Sequence, residues 1–262
     1  MGPNPVDRDT LKLLFIEHLR KEPKTQVGNV MEALKEALKR PLTAPETMAT
    51  LELIHEFTVA NIIMPAMDRW NAGWPWIGLT SHGHEVLSKQ GPPVYDYEGY
   101  LRELRSRVPS LDAVVELFLG ESLRAYQFNL YHTSMVMLGC ASERAIRLLM
   151  SAYAAAIDKE QSRKQLESKL SGRDISKAYE EFKKSFDSTR SQIQPGQFAK
   201  EYDTHVDAVF TFIRLLRNSI VHAQEMPNIT AAVVYSNLQQ FSYYLETIYG
   251  LISYYNSHPV RV

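Results

Sequence analysis

Cysteine is almost missing from this chain: Cys140 is the only one among 262 residues. An intramolecular disulfide is therefore excluded, and the usage fits a reducing, cytoplasmic setting. Within "VMLGCASE" the thiol is flanked by small and apolar residues, the pattern of a buried inert cysteine rather than a nucleophile. Long apolar runs are missing too. No stretch of about 18 uncharged apolar residues exists, so no membrane span is expected. "MGPNPVDRD" has no basic segment followed by an apolar one, and no signal peptide is expected; the prolines and Asp7 make Gly2 a poor myristoylation match.

An excess of charge of one sign is also lacking. Residues 1–108 carry 13 basic and 14 acidic side chains, and the remainder carries 16 of each. Such a balance excludes the broadly basic surface that drives sequence-independent nucleic-acid binding, so any RNA or DNA contact must be local. What remains is an ordinary globular composition, 45% hydrophobic and 23% charged, and a length sufficient for two domains.

The first third alternates helical and extended patterns. "DTLKLLFIEHLR" sets Leu11, Leu14, Phe15, His18 and Leu19 on one helical face. "VGNVMEALKEALKR" forms a second helix ended by Pro41, and Thr43 caps a third in "APETMATLELIHEFTVAN". "NIIMPAM" and "WPWIGLT" read as a β-hairpin around the turn "DRWNAG", and Thr80 or Ser81 caps "HGHEVLSK". This order, with "WPWIGLTSHGHEVL", resembles the winged helix-turn-helix family over residues 7–90. A version that reads DNA should carry basic or amide side chains on its third helix. Here that helix offers Glu46, Glu52, His55 and Glu56, with no Lys or Arg between Thr43 and Asp68, so duplex DNA is not an expected partner. Arg69, Trp70, Trp74 and Trp76 of the wing could stack on a base; packing of the tryptophans into the core is the expectation. His82-Gly83-His84 cannot share one helix face and has no further ligand close in sequence, so no metal site is expected.

"GPPVYDYEGY" marks a linker near residues 90–96. The expected domains are residues 1–92, a winged helix-turn-helix-like domain, and residues 93–262, a mainly α bundle of about five helices. "YLRELRSRV" leads to Pro109; Ser110 caps "LDAVVELFLGESLRAYQFN"; "LYHTSMVMLGCASERAIRLLMSAYAAAI" is the next helix. The stretch from Lys159 to Arg190 holds nine basic and six acidic residues, the pattern of a solvated helical face. After "QPGQ", "YDTHVDAVFTFIRLLRNSIVHA" is amphipathic through Val206, Val209, Phe210, Ile213, Leu216 and Ile220. "ITAAVVYSNLQQFSYYLETIYGLISYYN" closes the bundle.

Within the amphipathic helix sit Arg217, Asn218 and His222. At about 100° per residue, Asn218 and His222 lie about 40° apart and face together, whereas Arg217 and His222 are about 140° apart. A two-fold axis that pairs two copies of the helix relieves that separation. One reading makes Arg217 half of a salt bridge and His222 a satisfied helix histidine; the other makes them a site. On the second, both lie off the apolar stripe of Ile213, Leu216 and Ile220.

"RNSIVH" in this setting resembles the signature of the HEPN superfamily, the higher eukaryotes and prokaryotes nucleotide-binding domains. The likeness spans residues 97–255 and includes the small "MLGCASE" segment. It implies a metal-independent endoribonuclease without cofactor that leaves a 2′,3′-cyclic phosphate. Such a protein is a prokaryotic defence or toxin-like effector, homodimeric through its C-terminal domain, with an antitoxin or defence-system protein as a further partner. His222 suits proton transfer because imidazole titrates near neutrality, and Arg217 suits the phosphate. Asn218 would hold the histidine ring or a phosphate oxygen. Glu143 of "ASERAI" either approaches the same cleft or forms a surface salt bridge. Gln224 stands where related toxins paired with nucleotidyltransferases carry a modifiable tyrosine, so that mode of inactivation is not expected. A non-catalytic HEPN module that binds nucleotide or RNA, or only dimerises, is the alternative. A winged-helix transcription regulator is a second.

Overall fold

The computed structural model describes residues 6–88, 97–171, 174–193, 197–222 and 227–262. Helix dominates it, and the chain divides into two units, Met1–Tyr95 and Asp96–Val262. The proposed linker at residues 90–96 lies outside the described residues.

In the first unit Asp7 caps α1 (Arg8–Lys21) by accepting from the Thr10 N–H. It is followed by α2 (Val27–Leu38) and α3 (Ala44–Val59). Thr43 starts α3 through a reciprocal capping box with Glu46, which satisfies two otherwise orphaned backbone donors. Leu11, Phe15, Leu19, Leu34, Leu53 and Phe57 supply a shared core.

The sheet corrects the expected hairpin. Besides β2 (Ile63–Met64) and β3 (Trp76–Leu79) there is β1 (Lys24–Gln26), and the order is β1-β3-β2, all antiparallel. Thr25 pairs with Ile77, and Ile63 with Leu79. Three polar residues have no alternation to reveal them as a strand. After β3, Thr80 Oγ1 accepts from the Gly83 N–H and starts α4 (Ser81–Ser88). A Cβ on Gly83 would lie 2.0 Å from the Ile62 carbonyl oxygen, so the glycine of "HGH" serves a close backbone approach.

The loop between β2 and β3 and the start of β3 overturn the expectation that the tryptophans fill the core. Trp70 is 79% exposed and Trp74 54% exposed, while Trp76, inside β3, is half-buried.

Among the described residues of the second unit the regular elements are all helices, apart from an isolated bridge, Ile157 to Val260. Its described α-helices number eight, against the five expected. They are α5 (Tyr97–Arg107), α6 (Ala113–Gln127), α7 (Tyr131–Ala156), α8 (Glu160–Leu170), α9 (Ile175–Thr189), α10 (Gln197–Glu201), α11 (Ala208–Val221) and α12 (Ala231–Tyr255). Asp112, not Ser110, caps α6, accepting from the Val114 and Val115 N–H groups, and Arg144 grips the same carboxylate at 2.9 and 3.1 Å. The basic stretch makes two helices whose charges are largely paired: Lys164 with Glu160, and Lys169 and Lys184 with Glu181. The break expected at "QPGQ" falls mostly on residues 194–196, outside the described residues.

The 26-residue α7 is the central helix, flanked by α6, α11 and α12. Small residues at Gly139, Ala141, Ser142 and Ala145 let its neighbours approach closely. One turn of π-helix, Tyr202–Asp207, precedes α11. It is anchored by Tyr179, whose hydroxyl is 2.8 Å from Tyr202 Oη and donates to Asp207 Oδ1 at 2.9 Å.

Candidate functional site

The π-helical turn fixes how α11 rolls onto α7. Val209, Phe210, Ile213 and Ile220 are buried. Arg217 is four residues after Ile213 and three before Ile220, so its Cβ leaves the helix on that same buried face. This corrects the expectation that Arg217 lies off the apolar stripe; Leu216 is the residue that slips partly out to solvent.

Gly139 makes the arrangement possible. A Cβ there would lie 2.8 Å from Arg217 Cγ and 3.0 Å from Arg217 Cβ, so the arginine stem rests directly on the α7 backbone. The guanidinium then reaches along α7. Nη1 donates to Asn218 Oδ1 at 3.1 Å and stands 3.3 Å from Glu143 Oε1. That last contact is an ion pair without hydrogen-bond alignment. Glu143 Oε1 and Arg217 Nε are both buried with no hydrogen-bond partner. Cys140 lies one turn before Glu143, half-buried; burial pushes its thiol up, and the adjacent Arg217 draws it partly back.

His222 stands apart. α11 ends at Val221, and His222 is its C-cap, with the backbone N–H donating to Asn218 O at 3.0 Å. Its imidazole is exposed and makes no hydrogen bond among the described residues. It is about 7.5 Å along and 140° round the helix from Arg217. One copy of the chain thus brings together Arg217, Asn218 and Glu143, and not His222. Gln224 lies outside the described residues. His132, at the start of α7, meets the Pro227 carbonyl at 2.9 Å, so the chain beyond the motif is tied back to α7.

The outer face of α11 is apolar. Phe212 is 51% and Leu215 56% exposed, and Phe212 borders a groove of about 610 Å³ with Val209, Val233, Asn237 and Gln240. Sequence reasoning passed over a second concavity, of about 750 Å³, lined by Arg107, His205, Tyr243 and Glu246. There His205 Nδ1 is 3.3 Å from Thr247 Oγ1, and Arg107 pairs with Glu246 at 2.9 Å. These residues come from three separate elements, which no local motif could reveal.

Among the described residues no three His, Cys, Asp or Glu side chains are grouped to hold a metal ion, and no helix is long and apolar enough to cross a membrane. Comparison with family models, with curated proteins and with solved structures finds no match.

Proposed function

We propose that the protein is a HEPN-type, metal-independent endoribonuclease, a defence or toxin-like effector, acting through Arg217, Asn218, His222 and Glu143. The observation that carries this reading is the incomplete hydrogen bonding of the Arg217–Glu143 pair at the end of a late bundle helix. A buried guanidinium N–H without an acceptor is costly unless a ligand supplies one. In the reaction the ribose 2′-oxygen bonds to phosphorus and the bond to the 5′-oxygen breaks, leaving the cyclic phosphate. His222 moves a proton between these oxygens, and Arg217 meets the developing negative charge.

Because His222 and Arg217 diverge within one copy, the working site is built by two copies related by a two-fold axis along α11. The exposed Phe212 and Leu215 beside the motif support such a pairing. The order helix, strand, helix, helix, strand, strand, helix supports a winged-helix reading of the first unit. The exposed Glu52, His55 and Glu56 of α3 argue against its reading duplex DNA.

The test is purified full-length protein with unstructured RNA in the presence of a chelator. Cleavage with 2′,3′-cyclic ends, lost in Arg217→Ala and in His222→Ala, is the expected result. Absence of cleavage, or cleavage indifferent to His222→Ala, sinks the proposal. The second reading, a non-catalytic nucleotide- or RNA-binding HEPN module, is favoured by one observation: Arg217 is held by Gly139, Asn218 and Glu143 rather than beside His222.

A further inference from the structure

Trp70 is the most exposed large side chain in the molecule's described apolar set, and it is not on a loose segment. The loop between β2 and β3 is internally bonded. Asp68 Oδ1 accepts from the Trp70 and Asn71 N–H groups at 2.8 and 2.9 Å, and the Asn71 side-chain amide reaches the same carboxylate. The Met67 N–H donates to Asn71 O at 2.8 Å, the Trp76 N–H to Gly73 O at 3.0 Å, and the Val27 N–H to Pro75 O at 3.0 Å. A tryptophan held open to water on a fastened turn has no folding role to explain it, since burying that ring is what would stabilise the fold.

Its surroundings indicate what covers it. The Arg69 guanidinium lies 4.4 Å from the centroid of the Trp70 ring, over one face, and the residue is still 79% exposed. Trp74, also exposed, is on the same loop. Lys24, on β1, is near enough to help hold the Asp68 carboxyl below its usual range, after the hydrogen bonds from Trp70 and Asn71. The Asp68 charge is thus engaged by its own turn, while the Arg69 cation lies over Trp70 and the Lys24 cation is near that turn.

We propose that this wing tip is a stacking platform for single-stranded nucleic acid, with bases on Trp70 and Trp74 and backbone phosphates met by Arg69 and Lys24. Unpaired bases expose the flat faces that such rings take up, and the accompanying phosphates match the cations. A duplex hides those faces inside its own stack. The site lies in the first unit and stands independently of cleavage at His222.

The experiment uses full-length His222→Ala protein, so that bound RNA is not consumed, and fluorescein-labelled oligouridylate of about 12 nucleotides followed by anisotropy. Oligodeoxythymidylate of equal length and a matching duplex are the comparison probes. Binding of the single strands, weakened about tenfold by Trp70→Ala and by Trp74→Ala and largely kept by Trp70→Phe, is the expected result. RNA and DNA binding alike identifies a platform blind to the sugar; RNA alone identifies one that also reads the 2′-hydroxyl. Failure to bind either single strand, tighter binding of the duplex, or an affinity unchanged in Trp70→Ala overturns the proposal. Because both rings are exposed, the alanine variants fold, and an unchanged melting temperature verifies it.

Discussion

Two arginine–glutamate pairs, one in each unit, make opposite use of the same chemistry. In the first unit Arg40 holds Glu46 with two bonds, Nη1 to Oε2 at 2.9 Å and Nη2 to Oε1 at 2.7 Å. Glu46 is 1% exposed and also accepts from the Val6 and Thr43 N–H groups, both at 2.8 Å. Every lone pair that faces the protein is used. In the second unit Arg217 and Glu143 meet through one poorly aligned contact of 3.3 Å, and each keeps a buried atom unsatisfied. A fully bonded pair is a fastener that specifies local structure. A half-bonded pair retains capacity to bind something else, at the expense of stability.

Breaking the fastener should have the largest effect. Glu46→Ala takes the carboxylate away from the Arg40 guanidinium and strips α3 of its capping box, at a cost of about 3 kcal/mol to the first unit. Denaturant unfolding followed by circular dichroism measures it; a loss under about 1 kcal/mol would erase the contrast. The pH dependence has a definite sign. The Arg40 hydrogen bonds first, then those from the Thr43 and Val6 backbone, hold the Glu46 carboxyl well below the usual glutamate range. Its stabilisation is therefore complete at neutral pH and is lost as the pH falls through that range toward the folded-state value. Glu46→Ala should flatten this part of the acid-unfolding profile.

The looser pair is probed next. Gly139→Ala gains helix propensity of about 1 kcal/mol but drives a methyl group into the Arg217 stem, an overpacking cost of about 1–3 kcal/mol. The expected net effect is destabilisation by about 1 kcal/mol, smaller when Arg217→Ala is already present, because the Cγ at 2.8 Å is then gone and only the Cβ at 3.0 Å remains. A thermal-melt double-mutant cycle reads that relief, and simple additivity would show that the stem does not rest on α7. Removing Arg217 by itself should cost about 1–2 kcal/mol, because its stem is packed, more than a surface arginine would.

The smallest stability effect belongs to His222→Ala, within about 0.5 kcal/mol for an exposed side chain at a helix end. Paired with loss of RNA cleavage, that near-silence in the melt would set His222 apart from both arginines as a residue kept for chemistry. A drop as large as that of Glu46→Ala would make it structural instead.

Much of this was legible before any coordinates, for reasons that can be given residue by residue. Thr43 and Glu46 spell a capping box three residues apart, and Val209, Phe210, Ile213 and Ile220 repeat at helical spacing. Local patterns report local structure. β1 escaped because three residues carry no period, and Asp112 displaced Ser110 as a cap because Arg144, from a distant helix, supports its carboxylate. The π-helical turn at Tyr202–Asp207 depends on the hydrogen bonds of Tyr179, twenty residues away or more. At the candidate site the sequence leaves Glu143 open between the cleft and a salt bridge; it pairs with Arg217, whose half-buried stem no local pattern announces. That contact is made possible by Gly139 on another helix, and a helical wheel of α11 cannot register the shape of what it packs against.

The placement of the aromatic residues makes each unit optically distinct. All three tryptophans fall between residues 70 and 76, and no tyrosine precedes Tyr95. Emission excited at the red edge of protein absorbance therefore arises from residues 70–76 of the first unit alone. Trp70 and Trp74 already emit near the solvent-exposed colour, so the change seen when the first unit melts comes mainly from Trp76, the half-buried ring in β3. Unfolding of the second unit, whose Tyr153, Tyr202 and Tyr244 are fully enclosed, is followed in tyrosine difference absorbance.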